Sequence, residues 1–112
     1  MDVEMFREYC LSLAGTTEDI KWGDNLCFLV ENKIYVMHSL DSGTLSMKCN
    51  PDDFEELAAR DGLGQAFHLA KGQWIGLDNL EVMPAKELKA RIAESRALVI
   101  AKLPKKLREK YA

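Results

Sequence analysis

LCFLVENKIYVMHSLDSGTLSMKC, residues 26–49, holds three apolar runs separated by two short polar breaks. The runs are rich in β-branched and aromatic residues, and the breaks, Glu31-Asn32-Lys33 and Asp41-Ser42-Gly43, carry turn chemistry. Runs of this length joined by tight turns predict an antiparallel meander. Parallel strands would need crossovers of about a dozen residues or more. In the last run Leu45 and Met47 alternate with Ser46 and Lys48, which predicts one face toward a core and one toward solvent.

The flanks extend this pattern. On the N-terminal side, residues 2–14 predict a helix, with Asp2 as its cap and Gly15 as its left-handed stop. Val3, Phe6, Cys10 and Leu13 fall on one face of it. TTEDIKW, residues 16–22, follows as a short strand, ended by Gly23-Asp24-Asn25. On the C-terminal side, NPDDFEELAARDG predicts a compact helix. Asn50 caps it, Pro51 suits its first position, and Asp52 and Asp53 favour its positive end. QAFHLA and QWIGL predict a hairpin turning at Lys71-Gly72. Trp74 and Gly76 then face away from Ile75 and Leu77, and His68 away from Phe67 and Leu69. Pro84 opens a long helix whose apolar side carries Leu88, Ile92, Val99 and Leu103. Pro104 breaks it, and KKLREKYA is a basic tail suited to one further helical piece.

The order of elements predicts an α+β fold. It comprises one domain, residues 1–112, with an antiparallel sheet of about five to six strands and three helices packed mainly on one face. The other face of such a sheet is open to solvent or to a partner.

The composition agrees with one core. The chain has 112 residues, of which 47% are hydrophobic. Its formal net charge of -3 gives no general attraction to polyanions, so any basic surface must be local. Three cysteines without a C-x-x-C pair fit a reducing compartment and buried thiols. They share no metal-ligand spacing with the two histidines. The start, MDVEMFREYC, has neither signal-peptide nor transit-peptide character. No apolar run reaches the ~20 residues needed to span a bilayer. The expectation is a cytoplasmic protein that does not enter membranes.

No G-x-S-x-G, P-loop or G-x-G-x-x-G is present, so no catalytic, cofactor-binding or metal-binding residue is assigned. His38 lies in an apolar strand and is expected to be partly buried and hydrogen-bonded. His68, Lys71 and Trp74 stand three apart across the predicted hairpin. An aromatic ring beside cations suits contact with base and phosphate. Spacing alone fits equally a core tryptophan, a backbone-bonded histidine and a solvated turn lysine.

REYCLSLAGTTED, KWGD, MKCNPDDFEEL, FHLAKGQW and LVIAKLPKKLRE, in this order, resemble the MmcQ/YjbR family of small bacterial proteins over essentially the whole chain. The resemblance implies a curved antiparallel sheet described as a double-wing DNA-binding fold, with hairpins as wings and no enzymatic activity attached. It also implies similarity to secretion chaperones, which bind protein partners, often as dimers. The recurring polar positions it carries onto this chain are Lys48, His68, Lys71 and Trp74; Lys33 and the tail cations Lys102, Lys105, Lys106 and Arg108 join them as nucleic-acid-binding candidates on charge alone. The expected function is therefore non-enzymatic DNA binding through an exposed sheet face and hairpin wings, without a cofactor. The alternative is a protein-interaction or chaperone-like module, homodimeric in one version.

Overall fold

A computed structural model of the chain describes residues 1–67 and 69–111. Helix α1 (Val3–Ser12) starts at Asp2, whose carboxylate accepts the Met5 N–H at 2.8 Å. The chain then forms β1 (Thr16–Lys21), β2 (Asn25–Val30), β3 (Lys33–Ser39) and β4 (Leu45–Lys48) as an antiparallel meander. Glu31 and Asn32 both have positive φ, the twist a two-residue hairpin turn requires. Helix α2 (Pro51–Ala58) begins where the Asn50 side chain accepts the Asp52 N–H at 3.0 Å. It carries the chain to β5 (Leu63–Gln65) at the sheet edge. Strand β6 (Trp74–Leu77) returns between β5 and β4, giving the order β1-β2-β3-β4-β6-β5.

Helix α3 (Ala85–Ala101) lies against β2, β3 and β4, with α1 against β1 and α2 against β5 and β6. Leu88, Ile92 and Val99 of α3, Phe6 and Cys10 of α1, and Leu57 of α2 share one core with Phe28, Val36, Leu45, Met47, Ile75 and Leu77 of the sheet. The predicted alternation is thus realised in β4 and β6. The long helix is capped by Pro84 and does not include it. Beyond the three packed helices, the tail forms α4 (Lys105–Arg108) and a 3-10 turn (Glu109–Tyr111), where one further helical piece was expected. The tail is anchored. Lys110 pairs with Glu31 at 3.0 Å, and the Arg96 guanidinium stands 5.3 Å over the Tyr111 ring.

Two local readings are corrected. First, the strand expected over QAFHLA ends at Gln65. The ladder closes at Ala66, whose N–H donates to the Trp74 carbonyl, and neither Phe67 nor residues 69–73 belong to a strand. The Gln65 amide organises this segment. Its Nε2 donates to the carbonyls of Ala66 and Leu69, and its Oε1 accepts the Gly72 N–H at 3.0 Å. A side chain has taken the place of cross-strand partners. The expected turn at Lys71-Gly72 is present, with Gly72 at φ +73°. Second, His38 is more deeply buried than expected; the Gly43 backbone hydrogen-bonds the ring, but Nδ1 has no hydrogen-bond partner. It packs edge-on to Phe6, with ring centroids 5.6 Å apart. Burial holds its pKa below the ordinary 6.5, against a smaller opposing effect of the Gly43 backbone.

Candidate functional site

Ser46 and Lys48 point away from the core on β4, as do Trp74 and Gly76 on β6, because their neighbours Met47, Ile75 and Leu77 are buried. Lys48 stands directly opposite Trp74 in the ladder. A β-bulge between β2 and β3 shapes the adjoining end of the sheet: Phe28 pairs with Val36 and Leu29 with Ile34, leaving Tyr35 as the extra residue. The Tyr35 carbonyl and the Lys48 N–H are joined through Ser95 of α3. The Ser95 hydroxyl donates to the former at 2.5 Å and accepts the latter at 2.9 Å. This anchors the C-terminal half of α3 beside the sheet end.

The result is a cleft of about 570 Å³ lined by Asn32, Lys33, Ile34, Lys48, Trp74, Val99, Lys102 and Leu103. Three lysines from β3, β4 and the end of α3 thus meet at one tryptophan. Burial first, and then the neighbouring Lys102 ammonium, hold the Lys48 ammonium below the usual lysine value. Among the described residues none of the ion pairs involves Lys33, Lys48 or Lys102. Like charges held together without a counter-charge are destabilising, and a bound anion relieves that cost.

Of the predicted residues, the fold brings together Lys33, Lys48 and Trp74, and adds Lys102. Lys71 is exposed on its turn. Lys105 and Lys106 are exposed on α4 and do not line the cleft. His68 lies outside the described residues.

A second depression lies on the open face of the sheet. It has a volume of about 520 Å³ and is lined by Trp22, Asn25, Met37, Ser39, Thr44, Ser46, Phe67 and Leu69. Trp22 is 71% exposed and Phe67 85%. Trp22 occupies the turn after β1 at φ +50°, a conformation that costs a bulky residue roughly 1–3 kcal/mol. Sequence reasoning missed both aromatics. Trp22 read as the end of a strand and Phe67 as a strand residue sharing a face with Leu69. The signal available for Trp22 was its place next to Gly23-Asp24, a turn.

Among the described residues no cluster of three or more His, Cys, Asp or Glu side chains could hold a metal ion, and no helix is long and apolar enough to cross a membrane. The three thiols are buried and free, and burial pushes that of Cys10 up to about 12.

The model of the YjbR family matches residues 11–98 of the chain. The chain belongs to the YjbR family. Its fold is similar to that of Deinococcus radiodurans protein DR2400, a DUF419-domain structure, at 25% identity and a TM-score of 0.87, covering 96% of this chain and 86% of that one. It is also similar to a Pseudomonas syringae protein in a crystal structure, at 22% identity and a TM-score of 0.74, covering 88% of this chain and 98% of that one. A solution NMR structure from Pseudomonas syringae is similar at 23% identity and a TM-score of 0.68, covering 88% of this chain and 92% of that one. The comparison with curated proteins gave no match. The YjbR match thus spans the expected α+β architecture from the end of α1 through most of α3.

Proposed function

We propose that this YjbR protein is a non-enzymatic nucleic-acid-binding protein, with DNA the expected ligand, and that Lys33, Lys48 and Lys102 hold its phosphates beside Trp74. The observation that carries this reading is that Lys33, Lys48 and Lys102, none in an ion pair among the described residues, line one open cleft together with Trp74. Phosphate satisfies the cations, and the ring offers a stacking surface. The double-wing resemblance points the same way, although the cations gather at the sheet end and not at the Lys71 hairpin tip.

The test is anisotropy of labelled short DNA titrated with protein at two salt concentrations. Affinity should fall with salt. Replacing Lys33, Lys48 and Lys102 by alanine should flatten the salt dependence by roughly 0.7 to 0.9 logarithmic units per lysine, if each neutralises one phosphate. Lys105→Ala with Lys106→Ala should change it less. No binding at low salt would remove this reading.

The open sheet face with exposed Trp22 and Phe67 favours a second reading, a protein partner or a second copy of the chain. Light scattering at two protein concentrations addresses the dimer version, since a constant monomer mass excludes it.

A further inference from the structure

We propose that the open sheet face takes single-stranded in preference to duplex nucleic acid, with bases stacked on Trp22 and Phe67 and phosphates on the lysine cleft. This rests on the nucleic-acid reading of that cleft. Among the described residues that line the groove with these two aromatics, none is charged. Asn25, Ser39, Thr44 and Ser46 supply an amide and three hydroxyls, and Met37 an adaptable apolar surface. Aromatic walls above neutral donors and acceptors suit a planar, uncharged ring with a polar edge, which describes a nucleobase. They suit a phosphate less, since none of the described lining residues is a cation.

The cations stand next door. Ser46 of the groove and Lys48 of the cleft leave β4 on the same side, two residues and about 7 Å apart along the strand. One short strand can therefore reach both. A duplex cannot use the groove in this way, because its base faces are already stacked and only its base edges are exposed. The backbone of Trp22 adds an independent argument. A left-handed turn position is easily filled by glycine or asparagine, yet here it presents an indole to solvent at a cost in strain.

The experiment compares labelled oligo-dT, oligo-U, an abasic phosphodiester strand and a blunt duplex, all of equal length, by anisotropy. Oligo-dT or oligo-U should bind more tightly than the abasic strand, by roughly tenfold per stacked base, and more tightly than the duplex. A difference between the dT and U strands tells DNA from RNA, and equal binding means that the sugar is not read. Trp22→Gly, which suits the turn, should abolish the advantage over the abasic strand and leave abasic-strand affinity unchanged. Lys48→Ala should weaken every strand. If the abasic strand or the duplex binds as well as oligo-dT and oligo-U, or if Trp22→Gly changes nothing, base stacking is overturned while the lysine cleft stands. If no strand binds at low salt, both readings fail, and the open face is left to a protein partner.

Discussion

Ser95 accepts the backbone N–H of Lys48 at 2.9 Å while donating to the Tyr35 carbonyl, so that a helix side chain bridges β3 and β4 just beyond their last ladder pair, Val36 and Met47. This places the Lys48 side chain between Trp74 and Lys102. Ser95→Ala leaves two buried backbone groups unpaired and should cost roughly 2–3 kcal/mol in urea unfolding. It should also weaken anion binding at the cleft, whereas a substitution at exposed Ala97 should do neither.

Trp22→Gly should have opposite effects on stability and binding. It relieves a left-handed conformation and loses little packing, so the urea midpoint should rise, by about 1 kcal/mol in free energy. Oligonucleotide affinity should fall in the same variant. A lower midpoint would show that the indole is part of the structural core.

His38 makes stability depend on pH. Its folded-state pKa lies below the ordinary 6.5, so the unfolded state binds the proton more readily. The neutral form's contribution is complete well above pH 6.5. It declines as pH falls through that value and levels off below the folded pKa. His38→Leu, which suits the apolar site beside Phe6, should remove that slope in unfolding curves measured from pH 7.5 to 5.5, a range of about one unit either side of 6.5.

Lys48 sets an upper pH limit on binding. Its ammonium is held below the usual lysine value by burial and by Lys102, so it loses its charge earlier than an ordinary lysine as pH rises. Oligonucleotide affinity should weaken at alkaline pH in the native protein. In Lys48→Arg, whose charge persists, the weakening should move to higher pH. Identical pH profiles would detach Lys48 from the site.

Gly15→Ala should release the tail. A Cβ at this position would stand 2.5 Å from the Tyr111 hydroxyl, and the residue adopts φ +76°. The expected result is a loss of roughly 1–2 kcal/mol, together with faster amide exchange in the 3-10 turn Glu109–Tyr111. Unchanged exchange there would show that the tail is held mainly by the Lys110–Glu31 pair.

The meander was legible because each strand announces itself locally. Leu45 and Met47 alternate with Ser46 and Lys48, and Glu31-Asn32 supplies the left-handed pair its turn needs. The helix starts at Asp2 and Asn50 were legible for the same reason, as short side chains accept a neighbouring N–H. Residues 65–70 misled because Phe67, His68 and Leu69 read as an apolar strand interrupted by a histidine. The Gln65 amide instead bonds the loop's own backbone, and Phe67 turns outward. No local pattern distinguishes a glutamine that lies along a strand from one that closes a loop.

By itself, the amino-acid sequence determined the α+β class, the antiparallel meander, its turns and the buried side of β4 and β6. These follow from period-two alternation, capping and turn chemistry, which act over a few residues. Only the tertiary structure decided that Lys33, Lys48, Lys102 and Trp74 share a cleft, and that Trp22 and Phe67 flank a groove. Alternation selects the face a side chain takes. Which side chains meet on that face depends on strand order, on the bulge at Tyr35 and on where Ser95 anchors α3. These are long-range contacts whose partners lie far apart along the chain.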